Sequence, residues 1–367
     1  MISAELKKIL KPGSILIIVI LSFLLFTSFL YRWIKPFNFE GDSFNTRIDI
    51  LQTWIDDYGN SIDETEFREI EANYNEILRQ SATMIADTDY FNEHGINNYE
   101  EYLNYTQNAI SGNAGYDYGV YSKMRDMLSE NTEVSSIYLQ EYETILTEYK
   151  SCGVERNHIL PFEVITYTNN YFTYLAIWCF VSVFVLAAPV MVNDRASNVV
   201  SAQFSSKRGK RIYRIQYITM LATSFVVVSI IIAIGLIAWS KTGTLAFAES
   251  NLNSFLNRDI PAVSMAYSDF IKIFIGIIYL LSLGISSIVF FLSARSSNAI
   301  EMLLKTIPVL VLGCLIALLL QGAFFENNFV FEIAKVKYWE VYISIFVFLI
   351  GLILNFGGYR FILKHDS

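Results

Sequence analysis

The chain has 367 residues, 53% of them hydrophobic and 17% charged, against about 25% charged in an average soluble chain. Apolar runs long enough to cross a bilayer recur along it, which excludes a soluble globular protein and predicts an all-α polytopic membrane protein. The net charge of −8 hides an asymmetry: positions 35–170 carry 25 acidic and 8 basic residues, and the remainder carries 10 acidic and 19 basic.

Taken in order, residues 1–13 predict a short amphipathic helix stopped by Pro12 and Gly13. Ile2, Leu6, Ile9 and Leu10 share its apolar face, and Lys7, Lys8 and Lys11 project toward solvent or headgroups. It is either an interfacial anchor or a basic flank that sets orientation. Residues 14–33 form the first span. They lack a small-residue cleavage site and end in Tyr31, Arg32 and Trp33, an interfacial belt, so the segment reads as a retained helix. The first domain segment is therefore 1–34.

Positions 35–170 predict a separate helical domain on the outer side. Ile48, Leu51, Ile55 and Tyr58 recur at helical spacing, as do Phe67, Ile70, Tyr74, Ile77, Leu78 and Ile85, and again Val134, Ile137, Tyr138, Tyr142, Ile145 and Tyr149. About four helices are expected, with loops at 56–60, 92–98 and 111–115. Its many tyrosines are expected to pack a small core with wet hydroxyls; stacked rings that bind sugars or peptides are the rival reading.

Positions 171–367 predict five further spans, at 171–192, 215–239, 270–292, 306–320 and 341–361. Between the second and third lies NDRASNVVSAQFSSKRGKRIYRIQ, with six cations against one acid, Asp194. Short loops so rich in Lys and Arg face the cytoplasm. Both termini are then cytoplasmic, and 35–170 is extracellular. The connection between the fifth and sixth spans admits a dip of short helices, whose non-helical backbone must be buried in protein. Gly276, Gly284 and Ser287 of the fourth span and Gly351, Gly357 and Gly358 of the sixth offer small surfaces for helix contact. Asn355 is the most interior amide, expected to bond a neighbouring helix.

The chemistry of the chain is sparse. Three scattered cysteines and three scattered histidines give no disulfide framework or metal-ligand spacing. The string around Gly209-Lys210 lacks the upstream Gly and following Ser/Thr of a phosphate loop, so no ATP hydrolysis by this chain is expected. No ionisable residue sits deep in a span, as an ion-driven carrier would need. A transporter so built takes its energy from a partner. The loop at 193–214 is the place to receive it: Val192, Val199, Val200 and Phe204 can share a helical face that seats in a partner's notch.

At this point the chain resembles the membrane-spanning subunits of type-2 ATP-binding-cassette exporters, of the Gram-positive kind with a large extracellular domain after the first span. Asp194, Ser197, Val199-Val200, Ser205-Ser206 and Gly209-Lys210-Arg211 occupy the family's loop pattern. Asn198 and Gln216 depart from its usual Gly and Lys. The resemblance implies a permease without a nucleotide site, with Asp194, Val199, Val200, Phe204, Arg208 and Lys210 at the ATPase-coupling surface and no cofactor or metal of its own. It implies as partners two cytoplasmic ATPase subunits that hydrolyse ATP, a second permease subunit (identical or related) and membrane lipids, with no nucleic acid. The cargo implied is a peptide, antibiotic or lipid-like molecule moved outward across the cell membrane. The rival reading is a membrane-anchored sensor or scaffold whose extracellular domain binds a ligand or partner.

Overall fold

Six helices in the structure, a computed structural model, are long and apolar enough to cross a membrane: Pro12–Phe37, Phe162–Ala196, Arg211–Ser240, Tyr267–Ala294, Ala299–Leu319 and Trp339–Gly357. The structure describes residues 2–38, 43–132, 136–153, 155–196 and 209–357. Among them there is no β-strand, only isolated bridges, and the chain is an all-α polytopic membrane protein. The apolar runs located every span, but polar helix ends extend most of them. The second span starts at Phe162, nine residues before the expected Tyr171. In that first stretch Thr168 donates to the Val164 carbonyl (2.6 Å) and Asn170 to that of Thr166 (2.9 Å), so these two polar side chains are satisfied by their own helix. The fifth span gains a polar first turn, capped by Asn298 and carrying a Glu301–Lys305 pair.

The chain divides into two compact units. The first, Met1–Lys35, Phe162–Leu245 and Asp259–Ser367, holds the spans. Its core is the second span against the fourth, where Phe172, Phe180, Phe274, Leu281 and Val289 are fully buried. The fourth and sixth spans meet at their small residues. A Cβ on Gly351 would lie 2.6 Å from Ser287 Cβ, and one on Gly284 would lie 2.9 Å from the Phe348 nitrogen. Gly276 and Gly357 have nothing within 4 Å, so they are not part of that contact, and Gly358 lies outside the described residues. Asn355 bonds its neighbours, as expected: its amide donates to the Ser287 and Gly351 carbonyls at 2.8 Å, and its oxygen accepts from the Tyr213 hydroxyl at 2.8 Å. The third, fourth and sixth spans are joined there.

The second unit is Pro36–Pro161 plus Ala246–Arg258. The helical domain thus ends at Pro161, not 170, because the residues that follow belong to the second span. It also takes in Ala246–Arg258, part of the connection between the third and fourth spans. Phe255 of that segment packs on Tyr149 (5.1 Å between rings), and Ser254 accepts from the Leu160 amide (3.0 Å). Five long helices carry the unit, Ser43–Tyr58, Glu64–Asp87, Tyr99–Ile110, Tyr118–Thr132 and Ser136–Cys152, with a one-turn helix at Asp89–Glu93. Asp63 and Glu66 form a reciprocal capping box that starts the second. Gly59, Gly95, Gly112 and Gly115 take positive φ in the turns. Tyrosines do pack this core, with Tyr102, Tyr121, Tyr142 and Tyr149 buried and Phe67 stacked on Tyr149 at 4.1 Å, but the hydroxyls of Tyr142 and Tyr149 are not wet as expected: they are buried and donate to the Ile70 and Ile62 carbonyls.

Candidate functional site

Among the described side chains of the N-terminal helix, Ile2–Ile9, Ile9 is buried as expected, and so is Glu5, which is 5% exposed. Lys8 shares their side of the helix rather than facing solvent. Its ammonium donates to Glu5 Oε1 at 3.2 Å and to Asp194 Oδ2 at 3.0 Å. Asp194 sits in the last turn of the second span and is 6% exposed. Gln216, in the second turn of the third span by the limits given above and 1% exposed, donates its amide to Asp194 Oδ2 (3.0 Å) and to Glu5 Oε2 (3.4 Å). Two donors and two carboxylates alternate, so each charge taken from water meets a partner, as burial demands. Burial pulls the Lys8 pKa down, but the hydrogen bonds and charges of Asp194 and then Glu5 outweigh it and leave it raised.

The next residue joins a further element. Arg195 donates to the Ser296 carbonyl and, at 3.2 Å, to that of Ala294. Those carbonyls end the fourth span, where helix geometry leaves acceptors unfilled and the dipole favours a cation. Ser293 donates to the Ala188 carbonyl at 2.6 Å, and Lys305 to that of Arg295 at 2.9 Å. The N-terminal helix and the ends of the second, third, fourth and fifth spans are thus fastened together close to Ala196 and Gly209, the described residues that flank 197–208.

Of the residues expected at a coupling surface, Asp194 is the one whose side chain is described, and it faces inward into this cluster rather than outward to a partner. Lys210 lies in the first turn of the helix Gly209–Ser240. Val199, Val200, Phe204 and Arg208 lie outside the described residues. Glu5, Lys8 and Gln216 were missed as site residues. In the sequence Gln216 stands out only as a departure from a usual Lys, and its amide donates here to two carboxylates at once.

At the opposite ends of the spans, a cavity of about 210 Å³ is lined by Phe162, Ile165, Asn169, Asp259, Gln321 and Phe325, among others. Asn169 is 4% exposed, and its Oδ1 has no hydrogen-bond partner among the described residues. The wall formed by 320–325 is non-helical backbone, with Leu320, Ala323, Phe324 and Phe325 at most 2% exposed and Gln321 exposed. Asn328 holds it, donating to the Leu319 and Gln321 carbonyls (3.1 and 2.9 Å) and capping the short helix Phe329–Ala334. The lining mixes rings and amides with one carboxylate, Asp259. No group of three or more His, Cys, Asp or Glu residues is arranged to hold a metal among the described residues. Comparison with protein-family models, with curated proteins and with solved structures finds no match to this chain.

Proposed function

We propose that this chain is the permease subunit of an ATP-driven exporter of the type-2 ATP-binding-cassette kind. In this reading the chain works with two cytoplasmic ATPase subunits, and the loop 193–214 receives their motion. Val199, Val200 and Phe204 dock, and Arg208 and Lys210 orient the loop. Asp194 serves from within, by anchoring the loop's first end. A second permease subunit, identical or related, completes the path, and an amphipathic peptide, antibiotic or lipid-like cargo moves outward across the cell membrane. Both termini are then cytoplasmic and the second unit extracellular. The chain supplies no nucleotide site and binds no cofactor.

The observation that carries this reading is the buried ring of Glu5, Lys8, Asp194 and Gln216. A loop whose two ends are fastened to the N-terminal helix and to four spans passes a displacement to all of them, because packed elements move as units rather than deform.

The experiment is purification from native membranes with identification of the bound proteins. An ATPase is expected to accompany the wild-type chain and to be lost from Val200→Asp and from Phe204→Asp. Retention of the ATPase, and of its stimulation, in both variants would remove the coupling assignment. The sensor or scaffold reading is favoured by one feature, an open aromatic groove in the second unit. It predicts a bound kinase or envelope enzyme in place of an ATPase.

A further inference from the structure

The second unit contains a groove of about 320 Å³ where the helices Ser43–Tyr58, Glu64–Asp87 and Ser136–Cys152 meet. Trp54 and Tyr142, 3% and 5% exposed, form its floor, and the half-buried rings of Tyr58 and Tyr138 form its sides. The rings are held by one another. Tyr142 lies 5.3 Å from Trp54 edge-on, 5.4 Å from Tyr74 in a stack and 5.7 Å from Tyr138, and its hydroxyl donates to the Ile70 carbonyl at 3.4 Å. A core needs such packing, but it does not need four rings lining open space.

Two carboxylates lie at the groove, Glu76 and Asp57. Glu76 is taken, by Arg79 and by the Gln80 amide. Asp57 is exposed and makes no hydrogen bond or ion pair among the described residues. Its charge is felt at the rings. The Tyr58 hydroxyl is pushed above the usual tyrosine range by burial and then by Glu69, Asp57 and Glu66, and that of Tyr142 by burial with smaller contributions that include Asp57.

The unit around the groove has 25 acidic and 8 basic residues. Five of the eight bases, Arg47, Arg68, Arg79, Arg125 and Lys150, pair with carboxylates of the same unit, so most of its positive charge is already matched and the acidic excess remains. The field at the groove is negative and open to an incoming positive charge. Aromatic faces attract a cation within about 6 Å of the ring, and an adjacent carboxylate adds the countercharge.

We propose that this groove binds an organic cation, an ammonium or guanidinium on an apolar stem, with the charge between Asp57 and the rings of Tyr58, Tyr138 and Trp54 and the stem along Ile77. The assignment holds whether the chain exports or senses, because it uses only the geometry of the second unit. The cation can come from a free amine or from a basic side chain of a peptide, and the two sources are separable.

The test is calorimetric titration of the full chain in discs of uncharged lipid. One arm uses choline against its neutral isostere 3,3-dimethylbutanol. The other uses a short Lys/Leu peptide against its Glu/Leu counterpart. Saturable binding of choline, absent for the isostere, assigns the site to free amines. Binding of the basic peptide alone assigns it to basic side chains. In either case Asp57→Asn weakens binding about tenfold, Asp56→Asn changes it less than about twofold, and added salt weakens it. Asp57 is exposed, so the variant folds, which an unchanged melting temperature verifies. The proposal is overturned if neither cation binds, if the isostere binds equally, or if Asp57→Asn binds as the wild type does. It is also overturned if Asp56→Asn loses as much as Asp57→Asn, since a diffuse acidic field and not a groove would then be responsible.

Discussion

Lys8 and Asp194, 186 residues apart in the chain, lie 3.0 Å apart as an ion pair, and Glu5 shares the same ammonium at 3.2 Å. The cluster therefore holds two carboxylates for one cation, which makes its members unequal. Lys8→Met leaves Glu5 and Asp194 facing each other with only the Gln216 amide between them. Breaking a fully buried pair costs about 3–5 kcal/mol, and because the Lys8 side chain is 32% exposed, screening reduces this to about 1–3 kcal/mol. Asp194→Asn removes one of the two negative charges and leaves Glu5 paired with Lys8, at a cost of about 1 kcal/mol or less. Thermal unfolding of both variants in one detergent should rank Lys8→Met as the less stable, and the opposite ranking would show that Asp194 is held chiefly by something other than this ring.

The same pair sets an expectation for pH. The folded pKa of Lys8 is raised above the ordinary value of 10.5. A raised lysine contributes stability that is fully present below its unfolded pKa and is lost as pH rises through the folded value. The stability difference between wild type and Lys8→Met should accordingly be constant across neutral pH and shrink only in strong alkali. Melting curves of the two proteins through the neutral range and above 10.5 check this; a difference that vanished near neutrality would contradict the pairing.

One substitution should act with opposite signs at two glycines of the bundle. At Gly351 an added Cβ meets Ser287 Cβ at 2.6 Å and the Gly284 carbonyl at 3.0 Å. The latter is backbone and cannot rotate away, so Gly351→Ala forces the fourth and sixth spans apart at a cost of about 1–3 kcal/mol. At Gly276 nothing lies within 4 Å, and Gly276→Ala should be stabilising by about 0.5–1 kcal/mol through helix propensity. Paired melting temperatures read both effects against the same reference.

The spans were legible because each is a long apolar run, and a run is a local signal. The close approach of the fourth and sixth spans was legible in part: Gly284, Ser287 and Gly351 were marked by size, but size alone did not separate them from Gly276. The ring of Glu5, Lys8, Asp194 and Gln216 was not legible. A single chain displays Lys8 as one more cation on a basic flank, and its partner lies on another helix with no periodic relation to it. The recruitment of Ala246–Arg258 into the second unit escaped for the same reason, since Phe255 gains its meaning only beside Tyr149.

Glu340 lies just before the sixth span expected at 341–361, yet it is the second residue of that helix and 1% exposed. Its Oε1 accepts from the Phe324 amide at 2.8 Å, and its Oε2 is buried with no partner among the described residues. Phe324 has φ of 68°, a left-handed conformation that costs a residue with a Cβ about 1–2 kcal/mol. The Glu340 bond, the acceptance of the Ala262 amide by its carbonyl at 2.8 Å and the burial of its ring hold it there. Glu340→Leu removes the acceptor and leaves a buried amide unpaired, a loss of about 1–3 kcal/mol. Glu340→Gln keeps the acceptor and replaces a buried carboxyl with a neutral amide, so it should match the wild type or exceed it. Hydrogen exchange at the Phe324 amide should accelerate in Glu340→Leu and stay slow in Glu340→Gln; equal acceleration in both would mean that a negative charge, and not the hydrogen bond, keeps Phe324 in place.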